Sequence, residues 1–582
     1  MKVCAMRPNF AFAALYLLNG HVSLAAPSAK AQNLTVDLGY EVYRGAYDST
    51  AQLDIWRGIR YAAPPIGDLR WRAPAAPIAS ENGVVDAIEF APGCPQAAPV
   101  PFPAIPGISG SEDCLFLNVY APRSKKKTKL PVLVWIHGGG YGFGNGQQDM
   151  REIIKANDNK FVAVSIQYRL GAFGFLSSAE VEQNGALNTG ILDMAFALQW
   201  VQNHIDQFGG DKSQVTVSGQ SAGAGGVMQL AIAKNGTLKT SLFKNIVVAS
   251  PFLPPQYKFD GSIPTRQYKS FASYAGCANA TDVLSCLRSK DTLTLQNANS
   301  NTNAANFYGN WAFAPVVEPN TGYVTTHPSN ALTAKRVNGE HILVGNNANE
   351  GPLLVPTINS TEAFHTWLEG NFPLLTLAEL DAILAAYPAS ELPIKINDAF
   401  ATSGFGPVTA LDVSSFATGM QQRANNIFAE ATFVCPSYWL NDAFTTQKRK
   451  SFHYQYSVVG ALHGSDVSAY FGPATPSQPP PFTDALRQIW GGFVTVADPT
   501  TAKGLKDLKW PVWKQDGRSQ MINLNTTGGV PYSALQLTGM NLTEYMEPGL
   551  RNRFSLVNAL QWEGDRGARC ELWRNITSRV LV

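Results

Sequence analysis

The sequence predicts an α/β architecture, a large and mostly parallel central sheet flanked by helices, on three observations. Short apolar runs bounded by turn residues recur along the chain (Val132 to His137, Phe161 to Ile166, Ile246 to Ala249, Ile342 to Gly345), as strands buried on both faces do. Between two of them lies Leu192 to His204, whose apolar residues fall at helical spacing and stop before Gly209-Gly210. The alternating run Val215 to Ser218 breaks at Gly219 and resumes as small residues able to start a helix, which reads as strand, sharp turn, helix. Strands alternating with helices build a parallel sheet, because each parallel return needs a crossover long enough to hold a helix.

In chain order, the first segment carries Lys2 and Arg7, an apolar block from Phe10 to Leu18, and Ser23-Leu24-Ala25-Ala26-Pro27. This is the pattern of a signal peptide over residues 1–25, cleaved after Ala25, which leaves 26–582 as a single domain. The block is too short to span a bilayer, and no later run reaches about 20 apolar residues, so an exported protein without stable membrane insertion is expected. Leu53 to Arg57 predicts a small antiparallel strand, Ala63 to Gly67 a turn, and Leu115 to Tyr120 another strand. From about 255 to 335 the sequence is irregular and rich in Asn, Ala and Thr; 361–450 reads as mainly helical. His453 to Val459 alternates as a strand, and Gln520 to Leu524 is the last strand expected. No internal repeat is present.

With 15% charged residues and a net charge of +2 in 582 residues, the chain offers no electrostatic case for binding nucleic acid or anionic membranes. The run Lys125-Lys126-Lys127 reads as a solvated loop. Of seven cysteines, Cys4 leaves with the signal, and the even remainder suits an oxidising compartment. Closeness in sequence favours pairing Cys94 with Cys114 and Cys277 with Cys286, leaving Cys435 with Cys570 by elimination, among the many connectivities six cysteines allow. Sequons at Asn33, Asn235, Asn279, Asn359, Asn525, Asn541 and Asn575 fit glycosylation in a secretory pathway.

The chemistry centres on Ser221, at the turn Gly219-Gln220-Ser221-Ala222-Gly223. A turn that tight crowds the backbone, so the positions two before and two after the Ser need to lack side chains, and the Ala222 N–H at the helix start is free to donate to an oxyanion. A Ser hydroxyl needs a base to take its proton, and the base needs a third group to hold its tautomer. Among the eight histidines, His21 leaves with the signal, His204 lies in a helix and His453 in a strand, whereas His463 follows a strand end, where catalytic groups of open parallel sheets gather. Glu350 stands on another such loop, with Glu318, Asp412 and Asp466 as rivals. The order Ser221, Glu350, His463 is that of an α/β-hydrolase. His137-Gly138-Gly139-Gly140 follows a predicted strand, so Gly139 and Gly140 join Ala222 as oxyanion donors. No metal cluster or nucleotide motif is present, and neither metal nor cofactor is expected.

Taken together, Glu112-Asp113-Cys114-Leu115-Phe116-Leu117-Asn118-Val119, His137 to Gly140, Gly219 to Gly223, Asn349-Glu350-Gly351 and His463-Gly464-Ser465-Asp466 resemble the type-B carboxylesterase/lipase family across nearly the whole mature chain. The resemblance implies an α/β-hydrolase fold and hydrolysis of a small-molecule ester through an acyl-enzyme. It also supports the Cys94–Cys114 and Cys277–Cys286 disulfides. Gln220 stands where the family's cholinesterases carry Glu, and the Cys94–Cys114 loop has no Trp, so choline esters are not expected. That loop resembles a lipase lid, but it is short, and its apolar Val100, Phe102, Ile105 and Ile108 are broken by four prolines, which favours soluble esters over long-chain triglycerides. Phe143, Phe307, Trp311, Phe405, Tyr470 and Phe471 are candidate pocket aromatics. The alternatives are a triacylglycerol lipase and, from another class, a neuroligin-like adhesion module, which need not keep the nucleophile. Oligomeric state is not legible in the sequence.

Overall fold

Eleven strands of the computed structural model join in one sheet, and the sheet's parallel centre explains where every reactive side chain ends up. The structure describes residues 34–582 except 80–82, 103–109, 124–127, 320–321, 393–408, 413, 415, 447, 506 and 537–538. The predicted signal peptide and Asn33, the Lys125 to Lys127 run, Phe405 and the middle of the Cys94–Cys114 loop therefore lie outside the described residues. Thr35–Val582 forms one compact unit.

The strands are β1 (Ala46–Asp48), β2 (Leu53–Arg60), β3 (Phe116–Pro122), β4 (Leu130–Ile136), β5 (Val162–Ile166), β6 (Gly210–Gln220), β7 (Asn245–Ala249), β8 (His341–Asn347), β9 (Ser451–Tyr456), β10 (Gln520–Leu535) and β11 (Asn541–Asn558). Across the sheet they run β11-β10-β9-β8-β7-β6-β4-β5-β3-β2-β1. From β10 to β5 every neighbour is parallel; β11 at one edge and β3, β2, β1 at the other are antiparallel. Val162 to Ile166 and Asn245 to Ala249 are buried at every position, as strands covered on both faces must be. The register aligns Gln220 of β6 with Ala249 of β7, and Ala249 with Gly345 of β8. The chain segments that follow these strands therefore leave the same sheet edge side by side. A second, three-stranded sheet joins Thr35–Asp37, Val42–Arg44 and Val84–Asp86.

The helix expected over Leu192 to His204 spans Thr189–His204. The expectation of irregular structure over 255–335 needs correction: Ser262–Tyr274, Val283–Ser289 and Thr292–Ala304 are helices. The first buries Pro264, Tyr268, Phe271 and Ala272 at helical spacing, and Asp282 and Asp291 cap the other two by accepting the Ser285 and Thr294 N–H groups, local signals that mark these helices. Gln520 to Leu524 is not the last strand either. β10 runs on to Leu535 and pairs with β11, a long hairpin whose outer half is exposed and so lacks the alternation that betrays a half-buried strand.

Disulfides join Cys94 to Cys114, Cys277 to Cys286 and Cys435 to Cys570. Asn235, Asn279, Asn359, Asn541 and Asn575 are exposed. Asn525 differs from them: it is 4% exposed within β10, its Oδ1 accepting from the Thr526 N–H.

Candidate active site

Ser221 ends β6 and precedes the helix Ala222–Ile232 at φ 55°, ψ −127°, a left-handed conformation that non-glycine residues adopt at a cost of order 1–3 kcal/mol. The neighbours hold it there. The Ser221 N–H donates to the Ala249 carbonyl at 3.0 Å, and the Ser221 carbonyl accepts from Gly225 at 2.8 Å and Phe252 at 3.1 Å. The flanking glycines are required by contact: a Cβ on Gly219 would lie 2.4 Å from the Gly223 carbonyl carbon, and one on Gly223 2.1 Å from the Ile136 oxygen.

His463 and Glu350 reach this turn from the loops after β9 and β8. Those loops are tied together: the Asn349 N–H donates to the Ala461 carbonyl at 2.9 Å, and the Asn347 side-chain amide donates to the Leu462 carbonyl at 2.8 Å. His463 Nε2 lies 2.7 Å from Ser221 Oγ, and His463 Nδ1 lies 2.6 Å from Glu350 Oε2. Glu350 is fully buried, and its Oε1 accepts from Ser250 Oγ and from the Asn347 N–H, both at 2.6 Å. Three partners around one carboxylate fix its plane. With Nδ1–H facing Glu350, Nε2 presents its lone pair to Ser221.

The rivals for the acid are accounted for by other partners. Glu318 accepts from the Asn188 amide, and Asp412 from the Thr409 N–H and hydroxyl. Asp466 is near the site but takes the Tyr470 hydroxyl at 2.7 Å and the Asn347 amide at 3.1 Å; burial pushes its carboxyl above the ordinary range.

The Gly138 to Gly140 loop lies against the nucleophile: a Cβ on Gly138 would stand 2.9 Å from Ser221 Cβ. The Gly138 carbonyl contacts His137 Nδ1 at 2.8 Å, which turns the Gly139 N–H the other way across the planar peptide. Burial lowers His137 to about 4, so it stays neutral, its ring stacked on Tyr168 at 4.5 Å. The N–H groups of Gly139, Gly140 and Ala222 donate to no acceptor among the described residues. Gln220 Nε2 sits 3.5 Å from His463 Nε2, a long contact of a neutral amide.

Of the candidate aromatics, Tyr470 and Phe471 belong to the core with Trp135 and Trp490 rather than to a pocket. Trp311 packs on the Gly138 to Gly140 loop so closely that a Cβ on Gly140 would overlap its ring at 2.0 Å. Phe102, Phe143 and Phe252 surround it. Behind Trp311 and Phe252 opens a chamber of about 580 Å³, lined also by Phe307, Phe313, Pro254 and Ile263. Ser221 and His463 do not line it, whereas Trp311 and Phe252 do, the first lying against Gly140 and the second bonded through its N–H to the Ser221 carbonyl. Three partners escaped sequence reasoning: Ser250, Asn347 and Phe433, whose ring lies 4.3 Å from that of His463. The first two follow or end strands at the same sheet edge, a position that signals them; Phe433 carries no such mark.

Residues 34–538 match the carboxylesterase family. The chain belongs to that family. This carboxylesterase-family protein is 28% identical to Lipase 2 of Geotrichum candidum, over 92% of this chain and 98% of the relative. It is 29% identical to Carboxylesterase patB of Aspergillus clavatus, over 86% and 94%. The crystal structure of Aspergillus niger EstA superposes with a TM-score of 0.75 at 28% identity, covering 94% of this chain and 99% of that one. The carboxylesterase-family chain is thus a carboxylic ester hydrolase of the esterase/lipase superfamily with an α/β-hydrolase fold. Among the described residues no group of three His, Cys, Asp or Glu side chains could hold a metal, and no helix is long and apolar enough to cross a membrane.

Proposed function

We propose that the protein is a serine carboxylesterase of neutral esters with small acyl groups, working through Ser221, His463 and Glu350. The observation that carries this reading is the unbroken relay of 2.7 Å and 2.6 Å from the Ser221 hydroxyl through His463 to a fully buried Glu350.

In the first half-reaction Ser221 Oγ forms a bond to the ester carbonyl carbon while its proton passes to His463 Nε2. The carbonyl oxygen becomes an oxyanion, received by the N–H groups of Gly139, Gly140 and Ala222. The bond to the leaving oxygen then breaks, and that oxygen takes the proton from His463, releasing the alcohol. Water repeats the sequence on the acyl-enzyme and releases the acid. Glu350 keeps Nδ1 protonated and stabilises the transient imidazolium.

Trp311 supports the small-acyl preference, because its ring packs on Gly140 and takes up space beside Ser221. The chamber itself favours a second reading, a lipase, if that ring swings aside for a long chain. The amino-terminal pattern, three disulfides and exposed sequon asparagines support export as a secreted glycoprotein.

The test is hydrolysis of p-nitrophenyl esters from acetate to palmitate by wild type and Ser221→Ala, with tributyrin below and above its solubility limit. Turnover of short esters that disappears in Ser221→Ala is expected. A rate jump on emulsified tributyrin would replace the esterase reading by the lipase one. A folded wild type inert on every ester would return the chain to the binding-module class.

A further inference from the structure

Phe433 has no role in the chemistry above, yet it touches the base. It lies in Glu430–Val434, a π-helical turn between the helices Gly419–Ala429 and Cys435–Phe444. Such turns insert one residue into a helix and recur at functional sites because they re-aim a side chain without ending the helix. Here the re-aimed ring is fully buried, 4.3 Å from the His463 ring at 37° and 5.5 Å from Phe252 at 28°. The turn is also tied to the nucleophile: the Phe252 N–H donates to the Ser221 carbonyl, and the next N–H, Leu253, donates to the Thr432 carbonyl at 3.0 Å.

The same turn is anchored from the far end of the chain. Glu430, its first residue, accepts from Arg566 at 3.1 Å, from Arg569 at 2.7 Å and from the Tyr387 hydroxyl at 2.7 Å, all buried. Burial opposes a charge on Glu430, but the two guanidinium groups prevail and hold its carboxyl below the ordinary range. Cys435, directly after the turn, is bonded to Cys570. Arg566, Arg569 and Cys570 all belong to the C-terminal helix Trp562–Asn575, beyond the residues that match the family. The turn is therefore gripped on both sides of Phe433 by one element.

We propose that Phe433 is a positioning residue for His463, its ring clamped by the C-terminal helix through the π-turn so that the imidazole is held on Ser221 and favoured in its cationic form. The inference rests on the esterase reading of the site. The physical basis is an aromatic face beside a ring that becomes a cation in each half-reaction. The charged and titratable groups facing His463 are Glu350 at Nδ1 and Asp466 from its own loop; Glu430 is turned to the arginines. The π-turn thus contributes a face, not a charge.

The experiment compares Phe433→Leu and Phe433→Tyr with wild type on p-nitrophenyl butyrate across pH, with Ser221→Ala as the blank. Phe433→Leu is expected to lower kcat roughly tenfold with KM within about twofold, and to move the acid limb of kcat/KM about 0.5–1 pH unit lower, because the cation is less favoured. Phe433→Tyr, which keeps the aromatic face, is expected to restore the acid limb. A folded Phe433→Leu with the wild-type limb and kcat overturns the proposal, as does a loss of kcat that leaves the limb in place, since that is what packing alone would give. If Phe433→Leu does not fold, Arg569→Lys loosens the clamp instead: lower kcat at unchanged KM with the acid limb moved lower supports it, and wild-type kcat, or a lower kcat with the limb in place, overturns it. An inactive wild type would refute the esterase reading itself, a result distinct from any of these.

Discussion

Replacing Glu350 by Gln tests the relay most directly, because the carboxylate's surroundings dictate how an isosteric amide must sit. Its Oε1 position receives the Asn347 N–H and the Ser250 hydroxyl, each at 2.6 Å. An amide nitrogen placed there would face a backbone N–H that cannot rotate, leaving buried donors unsatisfied at a cost of ~1–3 kcal/mol. The Gln carbonyl therefore stays at that position and the NH₂ turns to His463 Nδ1. Nδ1 can then only accept, its proton moves to Nε2, and the base presents N–H to Ser221 instead of a lone pair. Reaching the productive tautomer costs the same ~1–3 kcal/mol, about 5- to 150-fold in rate. The imidazolium also loses its counter-charge, worth about 4 kcal/mol for unit charges roughly 4 Å apart at an effective dielectric near 20. Together these predict a kcat about 10⁴-fold lower, the scale seen when the acid of a Ser-His-Asp triad becomes an amide. Initial rates on p-nitrophenyl butyrate, with thermal unfolding to show an intact fold, measure it. A folded Glu350→Gln within tenfold of wild type would refute the relay and move the acid's role to another group, with Asp466 the nearest.

Trp311→Ala removes the ring that packs on Gly140 and lines the chamber, so the kcat/KM ratio of p-nitrophenyl decanoate to butyrate is expected to rise roughly tenfold or more, at about 1 kcal/mol or more for each added methylene bound; an unchanged ratio would show that acyl chains leave by another route. The Cys435–Cys570 bond closes a sequence separation of 135 residues, so Cys435→Ser with Cys570→Ser is expected to lower unfolding free energy by about 2–5 kcal/mol in urea titrations, and a loss below about 0.5 kcal/mol, the size of the extrapolation error, would contradict it. Acid should destabilise the fold through two buried histidines. Burial holds His137 at about 4 and His453 at about 3, whereas in the unfolded chain both titrate near 6.5. The unfolded state then binds protons the native state refuses, so the stability these groups contribute is complete above about pH 6.5 and falls as pH drops toward 4, by up to ~2.7 kcal/mol per pH unit. Urea midpoints at pH 7 and pH 5 measure this; equal midpoints would show that one or both rings are protonated in the fold.

Sequence by itself determined the fold class and singled out the candidate reactive groups. Runs such as Val162 to Ile166 must be buried on both faces, which only a covered parallel sheet allows, and Gly219 and Gly223 can be nothing larger because backbone lies within 2.4 Å of where a Cβ would go. Local chemistry of this kind is written in adjacent residues and survives any register. Helix Thr292–Ala304 and strand β11 escaped because thin or exposed faces carry little periodicity, whereas Ser262–Tyr274 buries Pro264, Tyr268, Phe271 and Ala272 at helical spacing and was legible; Asn525 carried a sequon although it is buried within β10. Tertiary structure alone decided which carboxylate lies against His463. Glu350, Glu318 and Asp466 are the same chemistry in sequence; it is the alignment of β6, β7 and β8 that brings Ser250 and Asn347 to one carboxylate and points it at the base. It alone decided, too, that Phe433 lies on His463, thirty residues away along the chain, since the π-turn that carries it meets the loop after β9 only in the folded molecule. Strand ends can be read one at a time, whereas a contact between them is a property of the register, and register is fixed by pairing across the whole sheet.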